Sequence, residues 1–300
     1  MKVNFYKLLC KFLSTGKTNN MNSFGKKLQE RSKKIKPSNY FTGIKEWGYD
    51  DFCNSVDNGD PSFIEEIVDC VFNGKVIVVR NSMDASKISE ISSKIHERGK
   101  TLKLSDSSAS MLDGVENFHY ITAPSKHKDG YKAIDHSYYF FPWNQPYDVV
   151  SPILKAVSIA KVISGYDEEF HENIPSDGVI ERLHVIHYPS GGGTISEHHD
   201  PYNVSWLNCG IYATEFGKDY HKGGFFMREA KTKKKIHIDP KVRAGDMIFF
   251  FPGLYHGMDP IDPEDEIDYN SKKGRWFFNY NLLESHHVKG RQSSLPYEPS

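Results

Sequence analysis

Apolar residues recur at helical spacing through the first part of the chain. The spacing predicts a helix over residues 60–73, which begins at an Asp-Pro pair and ends at an Asn-Gly pair. Further amphipathic helices are predicted over 86–98 and 152–164, because apolar side chains three and four residues apart lie on one helix face. Between the first two helices, residues 75–80 form a short apolar run that is typical of a buried strand.

The second half of the chain has a different pattern, in which short apolar or alternating segments are separated by Gly, Pro and polar turns. This pattern is typical of β-strands joined by tight connections. Roughly eight strands spaced in this way predict a mainly β fold with flanking helices and a jelly-roll or barrel core. The predicted strands cover residues 181–188, 195–200, 205–214, 223–229, 235–238, 247–251 and 276–283, with further candidates at 75–80, 101–105 and 117–123.

Residues 100–148 lack a clear period and contain many aromatic side chains. A long irregular segment inside a compact domain is usually functional or disordered, and the aromatic content argues against disorder. One interpretation is a lid or wall over a substrate pocket, to which Tyr138 and Trp143 would contribute. The alternative is ordinary core packing.

Residues 1–37 form a basic region of their own. Between residues 5 and 13, apolar positions at helical spacing alternate with lysines, which predicts a basic amphipathic helix. Such a helix packs on the main domain or on a second subunit, or makes a weak contact with an anionic membrane surface. Residues 38–300 are predicted to form a single domain, which their number permits.

Composition limits the classes of function. The formal net charge of -1 gives no overall attraction to polyanions, so nucleic acid is not the expected partner. The four cysteines are widely spaced and form no CxxC pair, which argues against a zinc ribbon or a disulfide framework. No apolar run reaches the length of a transmembrane segment, and the lysines near the N-terminus do not fit a signal peptide. We therefore expect a cytoplasmic protein that acts on a small molecule.

Three residues have the spacing of a metal site. His198 and Asp200 are two residues apart on a predicted strand, so both side chains point to the same side and can reach one ion. His256 follows a Gly-Asp turn, an apolar strand and a Pro-Gly turn, and a strand that folds back would bring it to the other two. Two His and one carboxylate form the facial triad that holds iron(II) and leaves further positions open.

Other residues extend this pattern in a fixed order. A strand and Gly-rich loop at 184–193 precede the triad, Gly223-Gly224-Phe225 and Gly245-Asp246 lie between its members, and Arg275 follows it. The chain resembles the iron(II)/2-oxoglutarate-dependent oxygenases, most closely the phytanoyl-CoA dioxygenase-like group. The resemblance covers roughly residues 180–283.

The resemblance implies a double-stranded β-helix core over 180–283, with a flanking part and lid over 38–179 and a tail over 284–300. It implies Fe(II), 2-oxoglutarate and O2 as cofactor and cosubstrates, and Arg275 as the residue that binds the distal carboxylate of 2-oxoglutarate. A guanidinium suits that role, since it can bind a carboxylate through two parallel hydrogen bonds. Lys272 and Lys273 are rival cations, because Arg275 lies further from His256 than is usual in this family.

Four residues near the triad are weaker candidates for the pocket. His187 and Asn208 are predicted to contact 2-oxoglutarate, and His184 and Tyr212 to contact substrate, although a core role for the two histidines is also open. No catalytic residue beyond the metal ligands is predicted. The expected reaction is hydroxylation of a C–H bond, with 2-oxoglutarate converted to succinate and CO2. The alternatives are a cupin-type metal oxygenase that does not use 2-oxoglutarate and a non-catalytic jelly-roll module that binds a sugar.

Overall fold

Six α-helices and twelve β-strands make up the part of the chain that the computed structural model describes, which comprises residues 21–104, 118–122, 132–141, 147–166, 178–202 and 204–284. The helices are α1 (Ser23–Ser32), α2 (Tyr49–Asp57), α3 (Pro61–Asn73), α4 (Ala85–Thr101), α5 (Tyr147–Val157) and α6 (Ile159–Ile163). The strands are β1 (Gly43–Gly48), β2 (Lys75–Arg80), β3 (Phe118–Thr122), β4 (Ala133–Phe140), β5 (Val179–Pro189), β6 (Thr194–His198), β7 (Asn208–Tyr212), β8 (Gly224–Arg228), β9 (Lys235–His237), β10 (Met247–Phe250), β11 (His256–Asp259) and β12 (Gly274–Glu284).

The strands form two sheets that share β4. The larger sheet has the order β1-β2-β10-β7-β12-β5-β4, and β3 adds to β4. The first residues of β4 also pair with β6, from which the smaller sheet continues as β6-β11-β8-β9. The sheets face each other, and Phe225 of β8 lies 5.6 Å from Phe250 of β10 between ring centroids. This confirms the predicted mainly β class with a jelly-roll core.

Helices cover the outer face of the larger sheet. Phe52 of α2 stacks on Phe249 of β10 with 5.5 Å between ring centroids. His96 of α4 lies edge-on to Trp276 of β12 at 6.0 Å. Because each strand alternates its side chains between faces, the outward residues pack under helices and the inward residues are left to form the interior between the sheets.

The predicted helix limits are explained by local capping. At the start of α3, Asp60 accepts a hydrogen bond from the Ser62 amide, and Pro61 occupies the first turn. At its end, Gly74 takes the left-handed conformation with a φ of 71°. Asp84 caps α4 in the same way as Asp60 caps α3.

The described part of the N-terminal region packs on the main body. In α1, Phe24 and Leu28 are buried, and Arg31 forms ion pairs with Glu65 and Asp69 of α3. The amphipathic helix predicted between residues 5 and 13 lies outside the described residues. None of the helices in the described ranges has both the length and the apolar composition that crossing a bilayer requires.

Some predicted elements were wrong. The strand proposed at 101–105 is not present in its described part, because α4 continues to Thr101. The helix proposed at 152–164 is two helices, α5 and α6, which meet at Ser158. Two strands were missed. All eight residues of β4 are buried, so the strand shows no polar alternation, and β1 is a short edge strand with few apolar residues.

Candidate metal centre

The end of β6 and the start of β11 bring the three predicted ligands together. His198 is the last residue of β6, Asp200 follows two residues later, and His256 is the first residue of β11. The two strands are antiparallel neighbours in which His256 pairs directly with His198. Gly257 of β11 permits the close approach of β6 and β8, because a Cβ there would lie 2.8 Å from the Phe226 ring and 3.1 Å from the Glu197 Cα.

The geometry of the three side chains suits a single ion. One potential ligand atom from each residue lies within 4.8 Å of the other two. Asp200 Oδ1 lies 3.5 Å from His198 Nε2, and Asp200 Oδ2 lies 3.6 Å from His256 Nε2. Among the described residues, no other group of three His, Cys, Asp or Glu side chains is arranged in this way. The predicted triad thus forms a compact cluster.

Backbone carbonyls orient both imidazole rings. His198 Nδ1 lies 2.8 Å from the Ser196 carbonyl oxygen, and His256 Nδ1 lies 2.7 Å from that of Leu254. A carbonyl only accepts hydrogen bonds, so each Nδ1 must carry the proton. The Nε2 lone pair of each ring is therefore directed toward Asp200, as in metal sites where a hydrogen bond to the other ring nitrogen fixes the tautomer.

The protonation and position of the ligands also fit metal binding. Burial lowers the pKa of His256 to about 4, against the opposing effect of Asp200, so the ring is neutral at neutral pH. A neutral imidazole is the form that binds a metal. Asn208, at the start of β7, donates a hydrogen bond of 2.7 Å from Nδ2 to Asp200 Oδ2. Asn208 therefore positions the Asp200 carboxylate.

The interior face of the larger sheet extends from Asn208 to a buried ion pair. Arg275 at the start of β12 is 1% exposed and donates to Asp239 from Nε at 2.8 Å and from Nη2 at 3.2 Å. Asp239 also accepts from the Tyr220 hydroxyl at 2.5 Å and from the Phe225 amide at 2.9 Å. The Asp239 carboxylate therefore binds the edge of the guanidinium formed by Nε and Nη2, and Nη1 makes no hydrogen bond with it.

Tyr212 lies beside this ion pair, where the charges of Asp239 and Arg275 both act on its hydroxyl. The Arg275 Cζ is 4.8 Å from the centroid of the Tyr212 ring, and the buried Tyr212 hydroxyl has no hydrogen-bond partner within the described ranges. Burial holds the pKa of Tyr212 well above its usual range, so the hydroxyl keeps its proton and can donate. Buried hydroxyls are normally hydrogen-bonded, which makes this one a candidate for a ligand contact.

The remaining predicted residues are distributed over both faces of the sheet. His184 lies on the interior face, where its Nε2 is 2.8 Å from the Ser137 hydroxyl. His187 lies on the outer face, stacked on Trp276 at 4.3 Å between centroids, and its Nε2 bonds the Lys273 carbonyl oxygen. Tyr138 is also on the outer face, with its hydroxyl 3.1 Å from a ring nitrogen of His136.

The other candidates lie elsewhere. Trp143 falls outside the described residues. Lys272 is exposed and donates from Nζ to the Ser93 hydroxyl of α4 at 2.9 Å, while Lys273 is exposed on the same loop. Among the three rival cations, Arg275 is the one that lies in the interior.

The sequence analysis missed three interior residues, Arg182, Asp239 and Asn281. Along β5 and β12, Arg182, His184, Asn279 and Asn281 are partly accessible, whereas the residues between them are buried. Their period of two places all four on the interior face. This alternation of polar and apolar residues is visible in the sequence. The partnership of Asp239 with Arg275 is not, because it depends on how a short turn after β9 meets β12.

No protein-family profile matches the sequence, and no curated protein matches it. Among solved structures, the chain is similar to a Pseudomonas putida prolyl-4-hydroxylase, with 12% identity over 76% of this chain and 96% of that chain and a TM-score of 0.42. It is also similar to a full-length Neurospora crassa protein solved in complex with alpha-KG, with 12% identity, coverage of 85% of this chain and 92% of that chain, and a TM-score of 0.48.

A third similar structure is a Trichoplax adhaerens prolyl hydroxylase in complex with a peptide fragment of hypoxia inducible factor. The identity is 12%, the coverage is 77% of this chain and 89% of that chain, and the TM-score is 0.46. At such identities the roles of individual residues do not transfer between chains. The function is therefore inferred from the site itself.

Proposed function

We propose that the protein is an iron(II)- and 2-oxoglutarate-dependent oxygenase that hydroxylates a C–H bond of a small molecule. The observation that carries the proposal is the orientation of the His198, Asp200 and His256 side chains. Both Nε2 atoms face the carboxylate, and the pairing of β6 with β11 holds them there. Two imidazoles and one carboxylate are the donor set of mononuclear iron oxygenases.

We place 2-oxoglutarate in the interior next to the triad, since the Phe225 ring lies 5.7 Å from the His256 ring and 5.9 Å from the Arg275 Cζ. Arg275 retains a free edge at Nη1, and the Tyr212 hydroxyl beside it has no partner among the described residues, so the two together can bind a carboxylate. The surrounding rings of Tyr188, Phe225 and Phe277 lie within 6 Å of the Arg275 Cζ and exclude water from this end of the interior. When bound, iron and 2-oxoglutarate would activate O2 for attack on a C–H bond.

The chain's own residues prepare the site for this chemistry. The Ser196 and Leu254 carbonyls fix the tautomers of the two imidazoles, so each ring directs Nε2 toward the position of a metal. Asn208 holds Asp200 Oδ2 and so limits rotation of the carboxylate. Such fixed partners around the ligands commonly raise metal affinity by one to two orders of magnitude, roughly 10- to 100-fold.

The Arg275–Asp239 ion pair favours a second candidate. Since the guanidinium already has a carboxylate partner inside the protein, its burial does not require a bound diacid. A metal oxygenase of the cupin type that does not use 2-oxoglutarate would be consistent with this arrangement.

Anaerobic titration of iron(II) and 2-oxoglutarate into the apoprotein separates the two candidates. We expect a weak visible charge-transfer band from the chelate, and its loss in His256→Ala. Tyr212→Phe removes a hydroxyl–carboxylate hydrogen bond of about 1.5–3 kcal/mol, so half-saturation should need roughly 10- to 100-fold more 2-oxoglutarate. Lys272→Gln is the matched control and should titrate like the wild type.

Two outcomes would contradict the proposal. Iron binding without a band would favour the cupin-type oxygenase. A wild-type protein that binds no iron would leave the triad without a metal function, and the binding-module alternative would then lead.

A further inference from the structure

A second arginine, Arg182 of β5, lies in the interior without a carboxylate partner among the described residues. Its Nη2 donates to Asn281 Oδ1 at 3.2 Å, and its Cζ lies 5.0 Å from the centroid of the Tyr139 ring. Its Nε is buried and has no hydrogen-bond partner in the described part of the chain. Neither contact supplies a negative charge.

In this respect Arg182 differs from four other arginines of the described chain. Arg31, Arg80, Arg228 and Arg275 each form an ion pair with at least one carboxylate. Withdrawing a charged group from water is costly unless it is paired. Burial lowers the pKa of Arg182, yet a guanidinium stays protonated in proteins, so the cost is borne by the folded state. A partly accessible guanidinium that has no carboxylate partner among the described residues is suited to bind an anion.

The position of Arg182 relates it to the triad. Arg182 pairs with Asn281 across β5 and β12, and His184 pairs with Asn279. Tyr280 pairs with Cys209 of β7, so the next positions, Asn281 and Asn208, are neighbours on the interior face. Asn208 bonds Asp200. The guanidinium and the triad therefore border the same interior space, connected through two asparagines.

Arg182 and Arg275 cannot serve the same carboxylate. Arg182 pairs with Asn281 and Arg275 pairs with Tyr188, so each strand separates the two arginines by six residues. Six residues of a strand span about 20 Å. A five-carbon diacid bound to the metal and to Arg275 leaves Arg182 free for a different molecule.

We propose that Arg182, together with Asn281, binds an anionic group of the substrate, a carboxylate or a phosphate, and so positions the substrate beside the triad. The identification of the bound anion as a substrate rests on the proposed oxygenase function, whereas the anion site itself does not. His184 and Asn279 add neutral polar contacts to the same surface, since burial, and then the charge of Arg182, holds the pKa of His184 well below its usual range. The site therefore selects a polar, singly anchored acid over a neutral apolar molecule.

Calorimetric titration of the 300-residue apoprotein with phenyl phosphate and with benzoate tests the site. We expect the wild type to bind at least one probe at millimolar concentration, and the stronger of the two identifies the anion. Arg182→Gln should weaken binding by at least about tenfold, since it removes charge-assisted hydrogen bonds, while Arg182→Lys should retain part of it. Lys272→Gln is the control and should leave binding unchanged.

A second readout separates binding from a structural role. In the absence of anion, Arg182→Met should raise the midpoint of thermal unfolding by a few degrees, about 2–4 °C, because it removes a half-buried guanidinium whose buried Nε has no hydrogen-bond partner among the described residues. A lowered midpoint, a wild type that binds neither probe, or unchanged binding by Arg182→Gln would each overturn the proposal. The charge-transfer band with iron(II) and 2-oxoglutarate should be the same in Arg182→Gln as in the wild type. A wild-type protein that shows no such band contradicts only the oxygenase function.

Discussion

Three charged residues of the interior have different surroundings. Arg275 has a carboxylate partner, Asp239, with which it shares two hydrogen bonds. Arg182 has none within the described ranges. Asp135 of β4 is 7% exposed and accepts from the Ser137 hydroxyl at 2.6 Å, and burial raises its pKa to about 6. The first charge is paired within the protein, the second forms the proposed anion site, and the third makes stability depend on pH.

The pH dependence at Asp135 follows from the direction of its pKa shift. The folded pKa of about 6 lies above the value of about 3.9 in an unfolded chain, so the folded state holds the proton more tightly. Asp135 therefore costs stability progressively as pH rises from about 4 to about 6, and the cost is constant above that. Asp135→Asn removes the ionisation and should become more stable than wild type by at most roughly 3 kcal/mol between pH 4 and pH 7.

Urea unfolding of Asp135→Asn and wild type across this pH range measures the difference. Glu266→Gln, a change at an exposed carboxylate, is the control and should show little pH-dependent difference. A pH-independent difference between Asp135→Asn and wild type would contradict the prediction.

At the scale of elements, the connection between β11 and β12 is an anchored loop. Ile261 is fully buried, and the amides of Gly191 and Gly192 donate to its carbonyl oxygen at 3.1 Å and 2.9 Å. The Asn270 carbonyl oxygen lies 2.9 Å from His96 Nε2 of α4. The residues between Asp259 and Gly274 are a polar, acidic insertion that separates His256 from Arg275 in the sequence. The structure shows that this insertion is tied at both ends to the elements that position β12 and Arg275.

Two adjacent glycines allow this anchoring to be tested. Gly191 and Gly192 both have positive φ, of 94° and 117°. A Cβ at Gly191 would lie 2.5 Å from the Ile267 amide nitrogen, whereas a Cβ at Gly192 would contact nothing within 4 Å. Gly192→Ala should cost about 1–2 kcal/mol of stability from backbone strain alone. Gly191→Ala should cost more, because the loop must also move.

Chemical denaturation of the two variants gives this comparison directly. Equal losses of unfolding free energy would show that the contact between the Gly-rich turn and the loop adds nothing. A larger loss in Gly191→Ala, together with faster proteolysis of the loop, is the expected result.

At the scale of the whole molecule, the metal ligands join segments that are distant in sequence. His198 ends β6, Asp200 follows it, and His256 begins β11, so the three meet only when the smaller sheet has formed. A metal therefore binds the folded state and not the unfolded chain. Iron(II) at 100 times its dissociation constant should raise the free energy of unfolding by about 2.7 kcal/mol.

Thermal unfolding under anaerobic conditions, with and without iron(II), measures this stabilisation. His256→Ala should lose it. His199→Ala is the matched control, since His199 is exposed and its ring lies against Tyr255 at 5.5 Å between centroids. A similar stabilisation in His256→Ala would place the metal elsewhere.

The sequence by itself determined the local features. The cap residues and glycines around α3, the strand over 75–80 and most strands after residue 179 follow from local periodicity and turn residues, because both act over a few positions. The grouping of His198, Asp200 and His256 was also predictable from the sequence. Residues two apart on a strand share a face, and the turn residues before His256 indicated that its strand folds back.

Only the tertiary structure decided which buried residues face one another. β4 has no polar alternation because it is covered on both faces, so periodicity could not reveal it. The placement of His187 under α4 rather than in the interior depends on the registers of three strands, and the pairing of Arg275 with Asp239 depends on a turn from the other sheet. That Arg182 has no carboxylate partner within the described ranges likewise depends on its neighbours in space, because an arginine in a sequence carries no sign of whether a carboxylate will lie beside it.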